Sequence, residues 1–149
     1  MAFLLDTNIL LRMIDLDHPM NQDVTNSIKS LRSQNEQLFI IPQNLIEFWN
    51  VCTRPREKNG LGMTVSETEG EVSQMEHLFI VLPDTSNIYL QWRSLVQKYQ
   101  VKGVKVHDTR LVAAMLVYKI EKILTFNVND FRRFSEITVI QPTDINRIS

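Results

Sequence analysis

Met1-Ala2-Phe3-Leu4-Leu5-Asp6-Thr7-Asn8 opens the chain and decides how the rest is read. An apolar run stops at a carboxylate, and a helical pattern begins at once. If residues 2–5 form a central strand, Asp6 stands at its carboxyl end, where open α/β sheets bind their ligands. Asp is also a favoured helix cap, because its carboxylate accepts a free backbone N–H. From this stretch alone, metal ligand and cap are both open.

Outward from there, strand and helix signals alternate. Residues 7–14 read as a helix with Ile9, Leu10, Met13 and Ile14 as its apolar stripe. His18-Pro19 makes a break, with Pro19 placed for the first turn of a second helix, whose stripe is Val24, Ile28 and Leu31. Residues 38–41 are a short β run ended by Pro42. Residues 43–53 are a helix ended by Arg54-Pro55, since the residue before proline avoids the helical region. Thr64-Val65-Ser66-Glu67 is a capping-box pattern at the head of a helix over 64–78, with Glu67, Glu69, Glu71 and Glu76 as a solvated face. A strand over 79–82, a helix over 85–99 and a loop through Gly103 follow. Residues 111–117 are apolar almost all round, the mark of a deeply buried helix. A strand over 123–126, a helical turn within 127–134 and a strand over 138–140 complete the pattern. No strand pair is joined by a two-residue hairpin signal. The pattern predicts a parallel, doubly wound sheet of four to five strands with helices on both faces. Residues 1–149 fit a single domain.

Composition narrows the classes. Hydrophobic content of 44% and charged content of 22% are those of a soluble globular chain rather than a disordered one. A net charge of −1 provides no global basic field, so a polyanion would be met by local patches or through metal ions. The one cysteine, Cys52, excludes an internal disulfide and fits a reducing compartment. No apolar run approaches the roughly 18 residues of a membrane span, and the N-terminus lacks the basic start of a signal peptide. These features predict a cytoplasmic protein.

Three Asp-Thr pairs precede helical segments: Asp6-Thr7, Asp84-Thr85 and Asp108-Thr109. Each can be a cap, and periodicity does not separate Asp84 from the other two. Gln43, Glu47, Asn50 and Arg54 fall on one stripe of their helix, at i, i+4, i+7 and i+11. That stripe is either a thin solvent face or a polar face of a cleft, where a carboxylate, an amide and an arginine suit metal and phosphate. Asn127 or Asp130 can cap the short helix after the fourth strand, or add an oxygen to a cluster at the strand ends. If Asp6, Glu47, Asp108 and Asp130 converge, they raise one another's pKa, and a hard divalent cation removes that cost. Oxygen-only ligands select Mg²⁺ or Mn²⁺, and such a site activates water for in-line attack on a phosphodiester. Cations lie close by in sequence: Arg54, Arg56 and Lys58 on one side, and Lys98, Lys102, Lys105 and Arg110 on the other. Tyr99 lies among the latter and could stack on a base.

Other chemistries fare worse. No Gly-x-x-x-x-Gly-Lys run exists among the four glycines, so a nucleotide P-loop is disfavoured. Cys52 sits in an apolar helix and reads as core. His18, His77 and His107 show no zinc spacing with cysteine. His107-Asp108 resembles the His-Asp pair of HD-type phosphohydrolases, but those are all-helical and this chain carries strand signals.

Four motifs, Leu5-Asp6-Thr7-Asn8-Ile9-Leu10, Gln43-Asn44-Leu45-Ile46-Glu47-Phe48-Trp49, His107-Asp108-Thr109-Arg110-Leu111-Val112-Ala113-Ala114 and Leu124-Thr125-Phe126-Asn127-Val128-Asn129-Asp130-Phe131, together resemble those of PIN-domain ribonucleases, the group that includes VapC-like toxins. They run in the family order and span nearly the whole chain. The resemblance implies a three-layer α/β/α fold, and it implies that Asp6, Glu47 and Asp108 bind metal with a fourth group from the last motif. Asn127 is neutral, so Asp130 is favoured there, with Asn127 orienting a ligand or water. Thr7 and Thr125 match hydroxyl positions that support the acidic centre, and Asn8 belongs to the same motif as Thr7. Asp84 matches no motif and stays a cap. Arg54, Arg110 and Asn50 are the expected substrate contacts, with Arg110 alternatively supporting Asp108.

The reading that follows is a Mg²⁺- or Mn²⁺-dependent endoribonuclease with an RNA substrate, and with an antitoxin partner if it is a toxin. Exposed apolar residues would add a homodimer. A non-catalytic RNA- or protein-binding module and a small-molecule phosphohydrolase are the alternatives. The first would keep RNA affinity without Asp6 and Asp108, and the second would turn over nucleotides but not RNA.

Overall fold

Phe3, Leu4 and Leu5 are all buried, which requires β1 (Ala2–Leu5) to be covered on both faces. The structure, a computed structural model describing residues 1–148, meets that requirement with a central sheet of five parallel strands in the order β3-β2-β1-β4-β5. The other strands are β2 (Gln37–Ile40), β3 (Ile80–Val81), β4 (Lys122–Leu124) and β5 (Thr138–Ile140). Successive side chains of a strand point to opposite faces. Phe3 and Leu5 therefore join one core with helices α1 (Thr7–Ile14), α2 (Asn21–Ser33), α3 (Pro42–Thr53), α4 (Val65–Leu78) and α8 (Pro142–Ile148). Leu4 joins the other core with α5 (Ser86–Lys98), α6 (Lys105–Tyr118) and α7 (Val128–Phe131). This is a three-layer α/β/α sandwich.

The strand order places the site. From β1 the chain builds outward through β2 and β3, then returns to lay β4 on the other side of β1 and β5 beyond it. The carboxyl ends of β1 and β4 therefore flank the point where the winding reverses, the place where open α/β sheets bind their ligands. Asp6 follows β1, and its N–H extends the ladder to the Leu124 carbonyl at 3.0 Å. Thr125 follows β4 and bonds the Ile140 carbonyl in the same way.

Local signals explain most element ends. Pro42 does two jobs: it stops β2 and supplies the first turn of α3, where its missing N–H costs nothing. Asn44 reaches back from that turn to accept the Ile41 N–H at 2.9 Å. Thr64 and Glu67 form the expected reciprocal cap of α4. Leu111, Val112, Ala113, Ala114 and Met115 are all buried, as an apolar-all-round helix must be.

Four expectations are corrected. Pro19 does not open α2: the helix starts at Asn21 with Met20 as its cap. The third strand is two residues, not four. Helix α6 starts at Lys105, because the Gly103 and Val104 carbonyls accept the Val106 and His107 N–H groups in a tight turn that needs no side-chain cap. Asp108 thus lies inside the first turns of a helix and is not its cap. Asp84 is not a cap either: α5 is capped at Thr85, and the Asp84 carboxylate accepts from Arg110 Nη2 at 3.2 Å.

Candidate functional site

Asp6 both caps and reaches across the sheet. Its Oδ1 accepts the Thr7 N–H at 2.8 Å, and its Oδ2 accepts the Thr125 hydroxyl at 2.7 Å. A carboxylate offers about four lone-pair directions, so these two bonds leave capacity for more. The Thr125 oxygen in turn accepts the Asn127 N–H at 2.9 Å. The single hydroxyl proton is therefore committed to Asp6.

A parallel chain of bonds holds Glu47. Asn44 Nδ2 donates to Thr7 Oγ1 at 3.2 Å, and the Thr7 hydroxyl donates to Glu47 Oε1 at 2.9 Å. Asn44 is fully buried, with its oxygen on the Ile41 N–H, so its amide orientation is set at both ends. The two threonines flank one centre, each donating its hydroxyl hydrogen bond to one acid. Asp130, half-buried on α7, takes its ion pair from Lys105 Nζ at the start of α6.

The four carboxylates act on one another. Asp6 is only 6% exposed, and burial pushes its carboxyl up to about 6 against the pull of its two hydrogen bonds, with Glu47 and Asp130 adding repulsion. Burial likewise pushes Asp108 up to about 6, reinforced by the Asp6 and Asp130 charges and partly offset by Lys105 and His107. Glu47 is raised by burial and by Asp108, while the Thr7 hydroxyl pulls the other way. Among the described residues, no three His, Cys, Asp or Glu side chains stand at metal-ligand spacing. The donor set itself is all oxygen, which suits a hard divalent cation. Asn8 Oδ1, one residue past the Thr7 relay, is buried without a partner.

The remaining candidates are placed as follows. Gln43 is buried and ties α3 to α6, donating to the His107 carbonyl at 2.8 Å and accepting from Arg110 Nη1 at 3.1 Å. Arg110 therefore bridges Gln43 and Asp84. Asn50 is exposed on the Glu47 stripe. Arg54 caps the C-terminus of α3, about 10 Å along the axis from Glu47, with its Nε buried and unpartnered. Asn127 is exposed and caps α7 without a side-chain bond. Tyr99 is no free stacking plane: its ring packs edge-on against Phe134 at 5.0 Å, its hydroxyl donates to Glu136 at 2.6 Å, and Lys98 lies over its face and pairs with the same Glu136. Two residues escaped sequence reasoning. Asn44 has the signal of an amide three residues into a helix that no Ser, Thr, Asp or Asn precedes. Lys105 carries no signal that separates it from the other basic residues near it, because the α6 start has no side-chain cap to mark it.

Two cavities flank the acids. A polar one of about 450 Å³ lies along α7, lined by Asn127, Asn129, Asp130, Arg132 and Gln141 among others. The other, about 330 Å³, lies between α5 and α6 beside His107.

Solved structures with the same fold cover almost the whole chain. VapBC2 from Rickettsia felis, bound to a DNA fragment from its promoter, aligns at TM-score 0.70 and 14% identity over 95% of this chain and 98% of that one. VapBC-1 from nontypeable Haemophilus influenzae aligns at 0.68 and 19% over 96% and 99%. VapC20 of Mycobacterium tuberculosis, described as a sarcin-ricin loop cleaving toxin, aligns at 0.63 and 14% over 91% and 98%. No curated protein sequence matches. At such identities the structures speak for the fold alone. The family model of the PIN domain, however, matches residues 3–137 and so takes in all four acids and both threonine relays: the chain belongs to the PIN-domain family.

Proposed function

We propose that this protein is a divalent-metal-dependent endoribonuclease and the toxin of a toxin–antitoxin pair, acting on RNA in the cytoplasm. The observation that carries the reading is a buried set of acids at the point where the sheet reverses its winding, with Asp6, Glu47 and Asp108 raised first by burial and then by neighbouring carboxylates. Carboxylates held at that cost suit a bound cation better than a bare cleft. Mg²⁺ or Mn²⁺ bound there would supply compensating charge and an acidified water for in-line attack on a phosphodiester.

The chain's own residues have separable roles. Asp6 and Asp108 are the central ligands, and Glu47 and Asp130 close the set from its flanks. Thr125 and Thr7 hold the Asp6 and Glu47 carboxylates in one orientation each, which fixes where their free lone pairs point. Lys105 offsets the Asp130 charge. Asn8 and Asn127 complete the polar wall, and Arg110, Arg54 and Asn50 are the substrate contacts. Arg110 presents a guanidinium already held by Gln43 and Asp84, so little side-chain freedom is lost on meeting a phosphate. Toxin–antitoxin assemblies of the same fold support an antitoxin as the protein partner.

The test is cleavage of a structured RNA with Mg²⁺ or Mn²⁺, with and without chelator. Asp6→Asn and Asp108→Asn are each expected to lose on the order of 10²-fold or more in kcat/KM, the scale of removing one electrostatic stabiliser. Metal-independent cleavage, or full activity in both variants, overturns the reading.

A further inference from the structure

We infer that the cavity between α5 and α6 is a nucleobase pocket, holding one unpaired base of the RNA strand beside the acidic centre. This rests on the ribonuclease reading and adds a substrate contact that the four acids do not require. Tyr89, Trp92, Val106, His107 and Arg110 line the cavity, whose volume of about 330 Å³ is at the small end for ligand sites. Its wall is aromatic: the Tyr89 and Trp92 rings stack with centroids 5.9 Å apart and planes inclined by 30°. Trp92 Nε1 donates to the Val106 carbonyl at 2.8 Å, which fixes the indole plane before any ligand arrives. Tyr89 is 53% exposed, an unusual place for a ring with no core to fill.

The cavity also adjoins the acids. His107 and Arg110, one turn apart on α6, face the cavity, while Asp108 points away on another side of that helix, so the cavity meets the acidic centre through α3. Gln43, one turn before Glu47, holds the His107 carbonyl and Arg110 together. A flat base on the aromatic wall would thus place a phosphate within reach of Arg110, on the α3 side of the acidic centre. Planar apolar walls with the Arg110 cation at the rim match a nucleotide of a polyanion, and stacking tolerates any base because every base has a π-face.

Trp49→Phe leaves Trp92 as the sole tryptophan and a local reporter. Octa-adenylate, octacytidylate and octauridylate are titrated against it without metal, and Mn²⁺-dependent cleavage is measured separately in Tyr89→Ala and Trp92→Phe. The expected result is saturable Trp92 quenching by RNA. Tyr89→Ala should lower kcat/KM by roughly 5- to 150-fold, mainly through KM, the scale of one lost base stack. It should do so with the melting temperature unchanged, and Trp92→Phe should be milder because it keeps a ring. Wild-type cleavage without quenching, with Tyr89→Ala at full kcat/KM, overturns the pocket and leaves the ribonuclease standing. Tyr89→Ala that cleaves normally but no longer captures an antitoxin also overturns it, assigning the cavity to a protein partner. A wild type that cleaves nothing sinks the ribonuclease reading instead, and the quenching then still decides the pocket.

Discussion

At neutral pH Asp108 is ionised where its surroundings resist the charge. Its folded pKa of about 6 lies above the ordinary value of 3.8, so between about pH 4 and 6 the folded state binds more protons than the unfolded one. Stability therefore falls as pH rises through that window, and the loss is complete by pH 7. Asp108→Asn removes this contribution. Discounted for partial exposure, the gain at pH 7.5 without metal is about 1 kcal/mol, or ~2–4 °C in melting temperature. Thermal unfolding at pH 4 and 7.5 checks it: the variant should melt with wild type at pH 4 and above it at pH 7.5. A lower melting point at both pH values would make the carboxylate structural. Asp6 is a less clean probe, because an amide there cannot keep both the Thr7 N–H and the Thr125 hydroxyl as donors to it. Cys52 shows the other result of burial: its thiol is pushed up to about 12, which keeps it inert, as its place in an apolar helix suggested. Single residues were legible where their neighbours in sequence decide their role. Asp84 was not, because its partner, Arg110, is 26 residues away.

Helix α3 and the loop after it form one unit. Past Arg54 the chain turns through Arg56–Lys58 and runs back along the helix end, so that the Leu61 and Met63 N–H groups bond the Val51 and Cys52 carbonyls at 3.0 and 2.8 Å. The return is possible because residue 60 is glycine: a Cβ there would lie 2.0 Å from the Arg54 carbonyl oxygen. Gly60→Ala must push two backbone segments apart, and an expected loss of about 2–3 kcal/mol follows from overpacking. Chemical denaturation would show it as a lower midpoint. An unchanged midpoint would mean that the loop is not fastened to the helix in solution. At this scale the sequence was most informative where punctuation is chemical, as at Pro42, Arg54-Pro55 and the Thr64–Glu67 box. It misled where a helix begins without a side-chain cap, as α6 does. There Thr109 turns its hydroxyl to the Lys105 carbonyl at 2.9 Å, an interior position that looks like a helix start in the dipeptide Asp108-Thr109. The seven-residue α8 is too short for periodicity to mark it, whereas β3 is marked by its apolar run and only its length is overstated.

Across the molecule, the sheet order converts four distant segments into one crevice. The doubly wound architecture was legible in the alternation of strands and helices, but which strands neighbour β1 was not, since pairing is a contact between residues far apart in sequence. Among the described residues no helix is long and apolar enough to cross a membrane. A cation that binds only the assembled crevice should stabilise the whole fold. At 100 times its dissociation constant, Mn²⁺ is expected to add about 2.7 kcal/mol and raise the melting temperature roughly 5–10 °C. Asp108→Asn should respond less, and an equal response in both proteins would place the binding elsewhere. The placing of β4 beside β1 also bears on synthesis. Asp6 and Glu47 are made before Thr125, Asp130 and the strand that carries them to Asp6, with 119 residues separating Asp6 from Thr125. A growing chain therefore holds half a centre until β4 has emerged. Fragments ending before Lys122 should show no Mn²⁺-induced stabilisation.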